Sequence, residues 1–155
     1  MSRSGPVSRN RDGSYRLDLD AAERDLLREL PGQLREILET DDPTLYRLFP
    51  PAYAEDPERD AEYQRLMREE LISRRLEALA TVEATADAER LTEEELSMWM
   101  RVINDLRLVL GTRLDVQEDQ EPSFDPDDPM TPLRQVYWFL SYLLEATVEA
   151  LTKGL

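Results

Sequence analysis

The chain has 155 residues with 34 acidic against 19 basic side chains, a formal net charge of −15, no His and no Cys. Without imidazole or thiol, a Ser-His-Asp triad, a thiolate zinc site, an iron–sulfur cluster, a disulfide framework and a thiol redox switch are excluded. Apolar residues at 41% and charged residues at 34% suit one folded domain rather than a disordered chain.

Residues 1–16, MSRSGPVSRNRDGSYR, carry a positive excess and no apolar run, and are expected to form a flexible tail ahead of a single all-α domain over 17–155. Tyr15, Leu17 and Leu19 alternate with charge in YRLDLD, which reads as a short extended lead-in, too isolated to found a sheet. Asp20 can cap AAERDLLREL, with Glu23 completing a capping box. Pro31 removes an amide and crowds the carbonyl of Leu27, which predicts a kinked first helix ending near Thr40. Pro43, Pro50, Pro51 and Pro57 then bound a short helical turn that plugs the core with Leu45, Leu48 and Phe49.

Asp56 and Pro57 are a good N-cap and first position for a long helix to about Ala86. Its apolar stripe runs through Tyr63, Met67, Leu71, Ile72, Ala78, Leu79 and Val82, with Arg68 and Arg75 inside it. Both arginines either snorkel toward water or meet Asp105 or a bundle glutamate as buried pairs. Thr92 caps the next helix, with Glu95 completing the box and Glu93 and Glu94 favouring its dipole.

That helix carries WMRVINDLRLVLGTRLDV, Trp99 to Val116. Trp99, Val102, Leu106, Val109 and Leu110 face away from Asn104, Asp105 and Gly111, while Met100 and Leu108 on the polar side predict cover on more than one face. If the helix continues through Gly111, Arg113 lands on the apolar face; if Gly111 ends it, Arg113 is released. Arg101 and Asp105 are spaced for an i,i+4 pair. With Asn104, Arg107, Arg113, Arg68 and Arg75 they read as a structural polar network that sets bundle register, not as a catalytic constellation.

Residues 117–130, QEDQEPSFDPDDPM, form an acidic, Pro-rich connector. Thr131 and Pro132 start a last helix through about Lys153, closed by Gly154. Its core stripe is Val136, Leu140, Leu143, Leu144, Thr147, Val148 and Leu151. Trp138 and Tyr142, one turn apart and following Arg134, lie on the other side beside Glu145 and Glu149. Such an exposed aromatic pair suits a protein-binding hot spot, unless the connector with Phe124, or the N-terminal segment, folds over it. The fold class is all-α, a single bundle of about four main helices plus a short Pro-bounded one.

No folded segment offers the positive surplus that phosphate backbones require, so direct nucleic acid binding is not expected. No run approaches the ~18 apolar residues of a membrane span, and a cytoplasmic location follows. A protein partner with basic patches fits the charge, and a homodimer through the aromatic face is compatible with it. There is no Gly-rich phosphate loop, and the connector places Phe124 and Met130 where an EF-hand needs Gly and Glu. One metal alternative remains: Mg²⁺ held by Glu62, Glu69, Glu70 and Asp105, as in all-α nucleotide pyrophosphohydrolases. The leading reading needs no cofactor or metal.

RLFPPAY (Arg47 to Tyr53), DAEYQRLMREEL (Asp60 to Leu71), the Trp99 to Val116 stretch and VYWFLSYLLEATVEAL (Val136 to Leu151) together resemble an actinobacterial family of domains of unknown function. The family is commonly encoded beside the ClpS protease adaptor and includes AosR-type oxidative-stress transcription regulators. The resemblance runs from about Tyr15 onward, and NDLRLVLGTRL is its most specific piece. It implies an all-helical protein with a regulatory role and supplies no catalytic residues. The Cys pair proposed for redox sensing in the regulator type has no counterpart here, so a role in transcription would run through protein contact with polymerase or an associated factor. The expected function is that of a non-enzymatic regulatory or adaptor protein; the metal-dependent hydrolase and a structural homodimer are the alternatives.

Overall fold

The computed structural model describes residues 5–116 and 125–153. In chain order the elements are β1 (Val7–Arg9), β2 (Tyr15–Leu17), α1 (Ala21–Leu38), a 3-10 helix (Pro43–Leu48), α2 (Pro57–Thr85), β3 (Arg90–Leu91), α3 (Glu93–Leu114) and α4 (Thr131–Lys153). The helical bundle expected from the sequence is present, together with a small antiparallel sheet of order β1-β2-β3.

That sheet corrects the flexible-tail reading for Val7–Arg9 and Tyr15–Arg16, residues 1–4 of the tail lying outside the described residues, and the reading of YRLDLD as a solitary strand. Val7 pairs with Leu17 and Arg9 with Tyr15, while Tyr15 pairs on its other side with Leu91. Between the strands, Gly13 takes a positive φ of 90°, the region glycine enters without steric cost. Asp12 Oδ1 accepts the Ser14 amide at 2.9 Å, closing the turn. Tyr15 and Leu17 are buried, so β2 is a central strand with one face on the helices.

Both capping boxes form as expected. Asp20 accepts from the Glu23 amide at 2.8 Å and Glu23 reaches back to the Asp20 amide; Thr92 and Glu95 do the same for α3. Pro31 does not interrupt α1, which runs unbroken from Ala21 to Leu38. Its ring is buried in line with Leu27, Leu34 and Leu38, and burial of that face offsets the lost backbone bond. Arg24 ties α1 to its surroundings: Nη1 donates to the carbonyls of Ala86 and Ala88 at 3.0 and 2.7 Å, and Nε to that of Leu19 at 3.2 Å. A cation placed on the carbonyls at the end of α2 also complements that helix's dipole.

With 29 residues, α2 is roughly 43 Å long, but only its later half enters the core, through Ile72, Ala78, Leu79 and Val82. Tyr63, Met67 and Leu71, expected in the same stripe, are half-buried. The earlier half is covered on one side by the Pro-rich loop. There Asp60 accepts the amides of Ala52 and Tyr53, and Gln64 Nε2 donates to the Pro50 carbonyl at 3.1 Å. Leu45 and Leu48 of the 3-10 helix are buried, as a core plug should be.

The central element is α3, which packs on α4, α2, the 3-10 helix and α1. Trp99, Leu96 and Ile103 are fully buried. Gly111 is buried within α3, and the left-handed cap is Asp115, at φ 54°. The alternative in which Gly111 ended the helix is therefore overturned. Arg113 nevertheless lies exposed, at a groove it lines with Leu34 and Ile37 of α1 and Leu110 of α3. On α4 the buried side is rotated toward Tyr137 and Ala150, which join Leu140, Leu143 and Thr147. Val148, expected in the core, is exposed. The cause is β1, which packs against α4 and covers the Ala150 side.

Candidate functional site

Arg134, Trp138, Ser141, Glu145, Val148 and Thr152 recur along α4 at steps of three and four residues and so share one outer stripe. Arg134 Nε lies 3.5 Å from Asp128 Oδ2, which anchors the start of the stripe. The aromatic pair expected to project together is split. Trp138 is half-buried, packed against the core, with its ring edge-on to Tyr137 at 5.1 Å between centroids. Tyr142 stands free at 57% exposed. Phe124, the expected cover, lies outside the described residues, as does Gly154, the expected helix stop.

Below Trp138 the stripe becomes an open groove. Arg107 of α3 forms one wall; Ser141, Leu144, Glu145 and Val148 of α4 form the rest, with Glu149 and Lys153 at its end. Val148 is 43% exposed. Two side-chain atoms at the groove, Arg107 Nε and Ser141 Oγ, are buried and have no hydrogen-bond partner among the described residues. Arg107 Nη2 donates only a long bond to Asn104 Oδ1, at 3.3 Å. Glu149 accepts from Lys153 at 2.8 Å, and that bond holds its carboxyl below the usual range.

The expected polar network separates into distinct contacts. Arg75 Nε donates to Asp105 Oδ2 at 3.2 Å and its Nη2 to the Leu48 carbonyl at 2.8 Å, with the guanidinium 5.1 Å from the Phe49 ring centre. This pair is sheltered, the side chains being 21% and 13% exposed. Burial outweighs the attraction of Arg75 and Arg101 and pushes the Asp105 carboxyl up to about 6. Arg68 covers Phe49 from another direction, 4.4 Å from the ring centre, and donates to the Thr40 carbonyl. Arg107 belongs to the α4 groove, and Asn104 touches that site only through its bond from Arg107. Arg101 is exposed, and no ion pair joins it to Asp105 among the described residues. Asp42 is held below the usual carboxylate range by the Thr44 hydroxyl and amide, with Arg113 a smaller, more distant influence.

The carboxylates proposed for Mg²⁺ are not brought together. Glu70 bonds Arg74 at 2.7 Å, Glu62 lies 3.9 Å from Arg65, and Asp105 is turned to Arg75. Among the described residues no three acidic side chains gather at metal-binding distance. A second exposed apolar area was not anticipated: Tyr46, Tyr53 and Leu66 around the Pro-rich loop. Arg59 sits 4.4 Å from the centre of the Tyr53 ring and Arg47 stacks on Tyr46. For Tyr53 the signal available was RLFPPAY itself, whose paired prolines keep it out of any helix face; Tyr46, in the 3-10 helix, and Leu66, on α2, carried no such signal. No helix among the described residues is long and apolar enough to cross a membrane.

A family model described as a domain of unknown function (DUF2017) matches residues 4–151. No curated protein and no solved structure matches the chain.

Proposed function

The chain belongs to the domain of unknown function family DUF2017, and we propose that it acts there as a non-enzymatic regulatory or adaptor protein that docks a partner helix in the groove along α4. The observation that carries this reading is one groove holding both exposed apolar surface at Val148 and two unpartnered polar groups, Arg107 Nε and Ser141 Oγ, with Tyr142 exposed on the same helix outside the groove lining. A buried donor without a partner costs about 1–3 kcal/mol. A ligand that brings acceptors to this groove recovers that cost, and an aromatic such as Tyr142 anchors it at small entropic loss.

The partner that fits is an amphipathic helix with apolar side chains for Leu144 and Val148, an acceptor for Arg107 and a Lys or Arg for Glu145. A net charge of −15 steers basic partners toward the protein and opposes the approach of a second copy. The homodimer therefore ranks below a foreign basic helix. The resemblance to AosR-type regulators supports a partner in the transcription machinery, contacted without any cysteine chemistry. The hydrolase alternative loses its support because its carboxylates are each engaged with arginine or dispersed.

The test is affinity capture from the host with wild-type protein beside a Tyr142→Ala/Val148→Glu variant, both substitutions being at exposed positions. A partner retained by the wild type and lost by the variant, with affinity falling as salt rises, supports the reading. Equal capture by both proteins overturns the groove assignment, and recovery of the chain alone by the wild type replaces the foreign helix with a second copy.

A further inference from the structure

We infer that a depression between α2 and α3, where Arg74, Arg75 and Arg101 converge over Leu71 and Ala78, is a binding site for a phosphate-sized oxyanion. Its volume is about 250 Å³ and its remaining lining residue is Asp105. In a chain with 19 basic residues against 34 acidic, three guanidinium groups at one depression are a local reversal of sign. Charges beyond about 8 Å are screened at physiological salt, so this local balance governs a small ion more than the net charge does.

Arg75 is fixed before any ligand arrives. Asp105 Oδ2, the Leu48 carbonyl and the Phe49 ring hold it on three sides, and two of its five N–H groups are used in doing so. The rest of a planar fork that matches oxyanion geometry stays available. Arg74 is engaged only with Glu70 of its own helix, and both side chains are exposed. An exposed i,i+4 pair of that kind is weak and yields readily to a doubly charged ligand. Arg101, from α3, has no ion-pair partner among the described residues.

Asp105 contributes one carboxylate to this depression, paired with Arg75. The charged groups facing it are Arg75 and Arg74 from α2 and Arg101 from its own helix; Glu70 stays paired with Arg74, and the Leu48 carbonyl and Phe49 ring lie on Arg75. Because burial raises the Asp105 carboxyl to about 6, mild acid neutralises it and leaves the arginines with less internal compensation. Leu71 and Ala78 give the depression an apolar wall, suited to the organic part of a phosphomonoester.

The experiment follows the arginine Nε–H signals of ¹⁵N-labelled protein during titration with sulfate, inorganic phosphate or phenyl phosphate, against sodium chloride at matched ionic strength. Saturable shifts at Arg75 and Arg101 with the oxyanions and not with chloride are expected. Tighter binding of phenyl phosphate than of phosphate assigns the site to a phosphomonoester; equal binding assigns it to the free ion. Sulfate keeps its charge over this range, so it should bind more tightly at pH 5.5 than at pH 7.5 in the wild type. Asp105→Asn should bind more tightly than wild type at pH 7.5 and lose the pH dependence. Arg101→Gln, an exposed change, should weaken binding several-fold. Shifts reproduced by chloride, or an affinity unchanged in Arg101→Gln, would overturn the assignment.

Discussion

A Cβ built on Gly111 would lie 3.1 Å from Cε2 of Tyr137: α3 and α4 are in contact at a point where α3 presents no side chain. Glycine inside a helix costs about 1 kcal/mol relative to alanine, and the close approach of the Tyr137 ring accounts for its presence. Gly111→Leu should lower stability by about 1–3 kcal/mol through overpacking, read as a reduced urea midpoint. An unchanged midpoint would show that Tyr137 yields freely and that the glycine has another cause.

Trp99 is fully buried, and its indole N–H donates to Thr85 Oγ1 at 2.7 Å; that hydroxyl in turn donates to the Thr81 carbonyl. Thr85→Val preserves shape and removes the acceptor. It should cost about 1–3 kcal/mol by leaving the indole unsatisfied, whereas Thr85→Ser should retain most of the stability. Thermal unfolding of the two variants separates these outcomes, and equal losses would assign Thr85 a packing role only.

The Asp105 carboxyl titrates near 6 in the folded chain against an ordinary 3.8. The folded state therefore keeps a proton that the unfolded state has released. This contribution is fully present below about 4 and is lost as pH rises through about 6, and the displacement corresponds to about 3 kcal/mol. The stability of wild type relative to Asp105→Asn should consequently rise as pH is lowered from 7.5 to 5. Urea unfolding at several pH values measures it, and a difference that stays flat across that interval would refute the buried titration.

Trp138 and Tyr142 should respond differently to truncation. Trp138→Ala removes a ring packed on Tyr137 and should cost about 1–3 kcal/mol, while Tyr142→Ala should change stability by no more than about 0.5 kcal/mol. Circular dichroism melts of the two single variants test this. Equal effects would mean that the two rings share one environment.

What could be read from the residues alone was mostly local. The boxes at Asp20 and Thr92 lie within four residues of chain, and so were visible as patterns. The sheet was not, because β3 has only two residues and β1, Val-Ser-Arg, has one apolar side chain, although Asp12–Gly13 ahead of YRL is a hairpin-turn signal. Missing β1 carried a further consequence: without its cover on the Ala150 side, Val148 looked like core and Trp138 like surface. The partner of Arg75 could not be decided either, since the Leu48 carbonyl that fixes it comes from a separate element. Of the exposed side of α4, Tyr142 was anticipated and Val148 was not, and the wall that Arg107 contributes depends on how α3 lies beside α4.

The contacts of Arg24 set an order of assembly. Its guanidinium needs the carbonyls of Ala86 and Ala88, which lie 62 and 64 positions further along the chain, and β2 needs Leu91 on its open edge. At about 5–20 residues per second of synthesis, roughly 4 to 15 seconds separate the appearance of Leu17 from that of Leu91. Two strands alone are marginal in water. The hairpin is thus made well before the strand that completes it, and its open edge on β2 waits for Leu91 throughout the interval.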